Sequence, residues 1–259
     1  MTPRVDLTCA DGIARLRLSN PAGGNVFDLV MIPALADAIA AIDPATTRAV
    51  LITAEGRNFS LGGDLHGMQA ATDRPALLEP MARILHNGLK ALDALGLPVV
   101  TAVNGAAAGA GLSLAIAGDV VIGATSSVYL MAYSAIGLSP DGGATHYLPR
   151  LIGLRLTQEM AFLNRQLSAA EALSAGLITR VVADQDLLSE AEAVVRKLAN
   201  GPTFAYRRIK SMLARGYANP LGDQLDLEAR AITECSGTDD AAAGVSAFLK
   251  REQPHFEGR

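Results

Sequence analysis

Short buried-strand patterns alternate with helical periodicity along most of the chain, and beyond about residue 187 only helical periodicity remains. Those two observations predict an α/β core followed by a helical appendage, divided here as residues 1–200 and 201–259. A third is that no fixed-period repeat occurs at the residue level, although a recurring strand–strand–helix theme would still suit a coiled, layered core.

The elements follow in order. Val5–Cys9 and Ile13–Leu18 alternate around Asp11-Gly12, a strong hairpin signal. Asn20 to Asn25 is a loop, and Leu29, Ile32, Leu35, Ile39 and Ile42 recur at helical spacing, predicting a helix from Phe27 to Ile42 that Pro44 closes. Arg48–Thr53 reads as a buried strand, and the Gly-punctuated loop Glu55–Gly67 follows it. A second helix is expected over Arg74–Leu95, a strand over Pro98–Val103, a small-residue helix over Ala106–Ala117 and a strand over Asp119–Ile122. Pro140-Asp141-Gly142-Gly143 makes a turn before more helix. The tail reads as helices over Leu188–Leu198, Phe204–Arg215, Leu221–Thr233 and Asp239–Lys250, broken by Gly201-Pro202 and Asn219-Pro220.

Composition narrows the function classes. A chain of 259 residues can bury about 70–75% of its extended surface, so it needs no disulfide or metal staple. Aromatic residues are few and Trp is absent; Ala and Gly take their place, which favours tight helix packing and close backbone approach to a ligand. A net charge of −4 without any Lys/Arg run argues against nucleic acid and against a membrane surface as partner. Cys9 and Cys235 form no CxxC pair, and no metal-ligand spacing occurs, so a reducing cytoplasm is expected. The first residues lack the apolar core of a signal peptide, and the longest apolar stretch, Gly105–Ala117, is too short to span a bilayer.

Two loops after buried strands are crowded with small residues: Phe59-Ser60-Leu61-Gly62-Gly63-Asp64-Leu65 and Asn104 to Gly111. Where a chain turns without Cβ crowding, or starts a helix, backbone N–H groups become available to a ligand. Side by side, two such loops would make an oxyanion hole. The same glycines also fit a purely conformational role in turns and packing. A dinucleotide site does not fit, because Gly109-Ala110-Gly111 runs into Leu112-Ser113-Leu114 without the third glycine.

The first loop resembles the first signature of the crotonase (enoyl-CoA hydratase/isomerase) superfamily. Pro98 to Gly105 with the following small residues resembles the second, and Gly137 to Gly143 with Leu148-Pro149-Arg150 the third. Gly244-Val245-Ser246-Ala247-Phe248-Leu249 is similar to the family's C-terminal helix. The resemblance covers nearly the whole chain. It implies a crotonase-like spiral of ββα units with a C-terminal helical trimerisation region, assembly as a homotrimer or homohexamer, and an acyl-CoA thioester as partner. Coenzyme A is then part of the substrate and no separate cofactor is implied.

Carried over residue by residue, the oxyanion donors fall on the N–H groups of Gly63 and Ala110, with Leu61, Gly62, Asp64 and Leu65 beside the substrate. The two hydratase carboxylate positions fall on Ser113 and Tyr133, neither of which can act as a carboxylate base, so both are expected to line the acyl pocket. Asp141 falls where several family isomerases and one dehalogenase branch carry a working Asp; capping the next helix is its other reading. Asp64 is expected to cap a helix, and His66 and His146 to lie at the surface or on a pocket wall. Phe248 and Arg251 fall where a neighbouring subunit commonly contacts the CoA nucleotide; a core Phe and a solvated Arg are the alternatives. The Pro140-Asp141 turn and Gln224 to Glu228 most resemble the branch that isomerises ring-epoxide phenylacetyl-CoA and shifts double bonds in 3-enoyl-CoA. The expected activity is a CoA-dependent isomerase of fatty acid metabolism or phenylacetate catabolism. Enoyl-CoA hydration is the alternative, and a non-catalytic acyl-CoA- or RNA-binding paralogue is the alternative of another class.

Overall fold

The computed structural model describes residues 4–258. Residues 1–3 and Arg259 lie outside the described residues. Strands β1 (Val5–Ala10) and β2 (Ile13–Leu18) pair antiparallel, and Asp11 and Gly12 between them take φ of 54° and 71°, the left-handed pair a two-residue hairpin demands. Helix α1 spans Met31–Ala40, later than the expected Phe27 start. The reason is Asp28, whose Oδ1 accepts from the Val30 and Met31 N–H groups, while Phe27 bridges to Gly63 instead.

Then come β3 (Ala49–Ala54), α2 (Leu65–Ala70), α3 (Arg74–Ala94), β4 (Val99–Val103), β5 (Ala106–Ala108), α4 (Ala110–Ile116), β6 (Val120–Ala124) and β7 (Val128–Leu130). The single helix expected over Ala106–Ala117 is therefore a short strand and a two-turn helix, broken at Gly109 with φ of 53°. The chain continues through α5 (Ala144–Phe162), β8 (Leu167–Ser168), α6 (Ala169–Ala175), β9 (Arg180–Val182), α7 (Leu187–Ala199), α8 (Thr203–Gly216), α9 (Leu221–Ser236) and α10 (Asp239–Lys250).

The main sheet has the order β1-β2-β3-β4-β6-β9, parallel from β2 onward. A second layer holds β5-β7-β8 and is extended by the parallel bridges Phe27–Gly63 and Ser60–Ala107. Each turn of the chain thus adds a strand to the first layer, a short extended piece to the second, and then a helix. This is the expected spiral of ββα units.

The parallel strands are buried on both faces, so they read as apolar runs rather than alternations. Val50, Ile52, Val99 and Val103 face the larger core with α1 and α3, whereas Leu51, Val100, Ala102 and Ile122 face Leu187, Ala191 and Val195 of α7. Arg15 of β2 forks onto Glu192 of α7 with bonds of 2.7 and 2.9 Å, holding that helix to the sheet.

Helices α8 to α10 leave Leu213, Leu221, Ile232, Phe248 and Leu249 exposed within one chain. The end of the tail returns to the core: Asp240 accepts from the Glu257 and Gly258 N–H groups, and Arg48 donates to the carbonyls of Gly201 and Phe256. Among the described residues no helix is long and apolar enough to cross a membrane.

Candidate active site

The two small-residue loops lie side by side because they occupy the second layer of successive spiral turns. Phe59 N–H donates to Asn104 O, Ser60 N–H to Ala106 O, and Ala108 N–H to Ser60 O. The buried Ser60 hydroxyl donates to Asn25 O and accepts from Gly62 N–H, fixing the first loop from within. Gly62 stands at φ of 86°, and a Cβ there would come 2.7 Å from Ala108 O. No other residue type lets the loops run this close.

This register brings Gly63 beside Ala110, the first residue of α4, whose N–H has no acceptor within its helix. Among the described residues neither N–H enters the turn, loop and cap hydrogen bonds that join these segments. Both residues line a cavity of about 440 Å³ whose wall is mostly apolar. Leu61 and Leu65 border it as expected, and Leu78, Met81 and Leu85 of α3 close the far side. Asp64 and Gly62 do not line it. Asp64 caps α2, accepting from His66 N–H, and borders a neighbouring cavity with Asp28. His66 and His146 are exposed and line none of this cavity.

Asp141 and Tyr133 face each other in the wall. The Tyr133 hydroxyl donates to Asp141 Oδ1 at 2.6 Å. Burial, and then the Asp141 charge, push the Tyr133 phenol far above its usual value, so it stays a donor. Asp141 does not cap the helix after it: Gly143 is the N-cap of α5 and no side chain bonds there.

Ser113 is a correction. Its side chain is fully buried outside the cavity, and its Oγ donates to the Asp141 carbonyl at 2.8 Å. It therefore anchors the Asp141 turn and does not line the acyl pocket. Gly142, at φ of 61°, packs its backbone on Ser113, where a Cβ would come 2.7 Å from the serine Cβ. His86, which no motif or spacing singled out, reaches the same turn from α3. Its Nε2 lies 3.1 Å from the Gly142 nitrogen and 3.4 Å from Asp141 Oδ2.

Phe248 and Arg251 are not brought to this cavity within one chain. Phe248 is 83% exposed on α10, and Arg251 ends that helix at φ of 59°. Among the described residues no group of three or more His, Cys, Asp or Glu could hold a metal ion.

The lining of one mostly apolar cavity thus combines the main chain of Gly63 and Ala110 with one carboxylate, Asp141. It can hold a developing oxyanion and move a proton nearby. The enoyl-CoA hydratase/isomerase family model matches residues 8–259. A 1,2-epoxyphenylacetyl-CoA isomerase of Escherichia coli (strain K12) is 38% identical over 251 residues, covering 96% of each chain. A protein of Rhodobacter capsulatus named probable enoyl-CoA hydratase is also 38% identical, over 255 residues and 96% of each chain. The crystal structure of an enoyl-CoA hydratase from Polaromonas sp. JS666 superposes with a TM-score of 0.91 at 33% identity, covering 98% of this chain and 99% of that one. With a matching fold and relatives along nearly its whole length, this chain belongs to the enoyl-CoA hydratase/isomerase family of the crotonase superfamily.

Proposed function

We propose that the chain is an acyl-CoA isomerase in which Asp141 is the one acid–base group. The observation that carries this reading is that Asp141 is the one carboxylate among the residues lining the cavity. Ser113 and Tyr133 stand where the family's hydratases place two glutamates, and both are occupied in holding Asp141. Hydration needs a water to be oriented and deprotonated and a second proton delivered to carbon, which one carboxylate serves poorly.

Isomerisation asks for less. The thioester oxygen of a 3-enoyl-CoA accepts from Gly63 and Ala110 N–H, and Asp141 takes a proton from C2. As that proton leaves, the negative charge spreads to the thioester oxygen and a C1–C2 double bond forms. When the same proton returns to C4, the C3–C4 double bond is lost, C2–C3 forms and the thioester carbonyl is restored. The oxyanion hole stabilises the intermediate between these steps. The name of the E. coli relative supports the opening of a ring epoxide on an aromatic acyl-CoA as a second use of the same site. The R. capsulatus relative's name supports hydration as the competing reading.

Turnover on a panel of 3-enoyl-, 2-enoyl- and aromatic acyl-CoAs tests the proposal. Isomerisation of a 3-enoyl-CoA or an epoxide substrate is expected to exceed hydration of crotonyl-CoA. Rapid hydration with no isomerisation would refute it, and binding without any turnover would mark a non-catalytic paralogue.

Assembly belongs to the same proposal. The apolar residues left exposed on α8 to α10 support a role for residues 201–259 in building a homotrimer or a dimer of trimers. In such an assembly Phe248 and Arg251 would reach the CoA nucleotide held by a neighbour. Light scattering at micromolar concentration is expected to show at least a trimer. A clean monomer would remove both the assembly and the shared nucleotide contact.

A further inference from the structure

His86 Nε2 has two partners that one ring nitrogen cannot serve together. With a lone pair it accepts the Gly142 N–H at 3.1 Å; with a proton it can donate to Asp141 Oδ2 at 3.4 Å. The two contacts therefore belong to two protonation states of the ring. Around them, the rest of the turn is tied down by Ser113 Oγ on the Asp141 carbonyl and by Tyr133 on Oδ1. Among the described residues Oδ2 is left as the oxygen to which no hydrogen bond is made.

We propose that His86 is a positioning residue for Asp141. Its neutral ring, protonated on Nδ1, holds the Asp141–Gly142 peptide and leaves Oδ2 for the substrate. Its protonated ring lets go of Gly142 and engages Oδ2, withdrawing the base. This rests on the reading of Asp141 as the acid–base group.

The ring is 38% exposed, so it exchanges protons with solvent. On α3, Arg83 and Lys90 stand about one turn to either side, and Arg83 is paired with Glu79. The turn contributes Asp141 and Tyr133; α1 and α2, which pack on α3, contribute Asp37 and His66, and α5 begins with His146 and Tyr147. Among the described residues only Gly142 and Asp141 make a hydrogen bond or ion pair with His86.

Two measurements test this. The first compares the pH dependence of kcat/KM for wild type and His86→Gln on any substrate the panel identifies. The Gln oxygen can still accept from Gly142 but takes up no proton. The acid limb is expected to move down by about one pH unit or more. An unmoved limb overturns the proposal, because a merely structural histidine would leave it in place.

The second is nitrogen NMR of the His86 ring in the wild-type protein and in Asp141→Asn, which needs no turnover. The neutral ring is expected to carry its proton on Nδ1, and its titration midpoint to change in Asp141→Asn. A neutral ring protonated on Nε2, or a midpoint indifferent to Asp141, overturns the proposal. Failure of the isomerase reading would show as absent turnover with the NMR result intact.

Discussion

Asp141→Asn is expected to lower isomerase turnover by roughly 10²–10⁴-fold, on the order of 3–5 kcal/mol in barrier, while leaving fold and ligand affinity in place. The Asn side chain keeps the shape and can still accept from Tyr133, so the hydrogen bond that orients residue 141 survives. What disappears is the group that takes and returns the proton. Ser113→Ala and Tyr133→Phe are the matched controls. Each removes one bond to Asp141 and no acid–base group, so each is expected to cost about tenfold or less, near 1.4 kcal/mol. The measurement is steady-state turnover beside calorimetric affinity for a non-reacting acyl-CoA. Near-normal turnover in Asp141→Asn would refute the one-carboxylate mechanism, and Asp64, which borders the neighbouring cavity, would become the next candidate.

Gly62→Ala is expected to have the other large effect, although it adds one methyl group and touches no acid or base. The new Cβ would meet Ala108 O at 2.7 Å and Gly109 Cα at 3.4 Å, both main-chain atoms of the second loop. Those atoms cannot swing aside, so the loops must separate and Gly63 N–H must move relative to Ala110 N–H. Misplacing one oxyanion donor costs roughly 10²–10³ in kcat. The left-handed φ adds strain of about 1–3 kcal/mol to stability. Gly63→Ala is the comparison: its Cβ would meet only the flexible end of Met68, and its N–H remains. It is expected to lose far less. Chemical denaturation and turnover measured on both variants would check this, and a Gly62→Ala enzyme working at the wild-type rate would show that the paired donors are not the anion site.

The sequence discloses elements whose signals are local. Asp11-Gly12 names its own hairpin, and α10 runs over Asp239–Lys250 as read because Thr238 caps it by accepting from Ala241 N–H. It conceals what depends on pairing across the spiral. Ala106–Ala108 reads as helix from its alanines, but those residues pair with β7. The strands β7, β8 and β9 are two or three residues long, too short for any periodicity to register. Within the site, Gly63, Ala110 and Asp141 were legible from motif resemblance, and the cavity lining includes all three. Ser113 was placed on the wrong side of its helix wall, since a lone serine among small residues does not reveal which way it points. His86 carried no signal, because its partner lies 56 residues away and no spacing rule links them.

The N–H groups of Gly63 and Ala110, two residues lining one cavity, belong to the main chain, and that bears on how such a site tolerates change over generations. A backbone donor survives every single substitution except proline, provided the loop keeps its path. Ala110, where glycine is the more common residue by resemblance, illustrates that freedom. On the proposed mechanism the proton-moving group is instead a side chain, replaceable by one codon on α4 or on the turn after Pro140. Anion binding is thereby robust to mutation while acid–base chemistry is open to it. A lineage built on this spiral can exchange one reaction on a thioester for another without first losing its hold on the thioester.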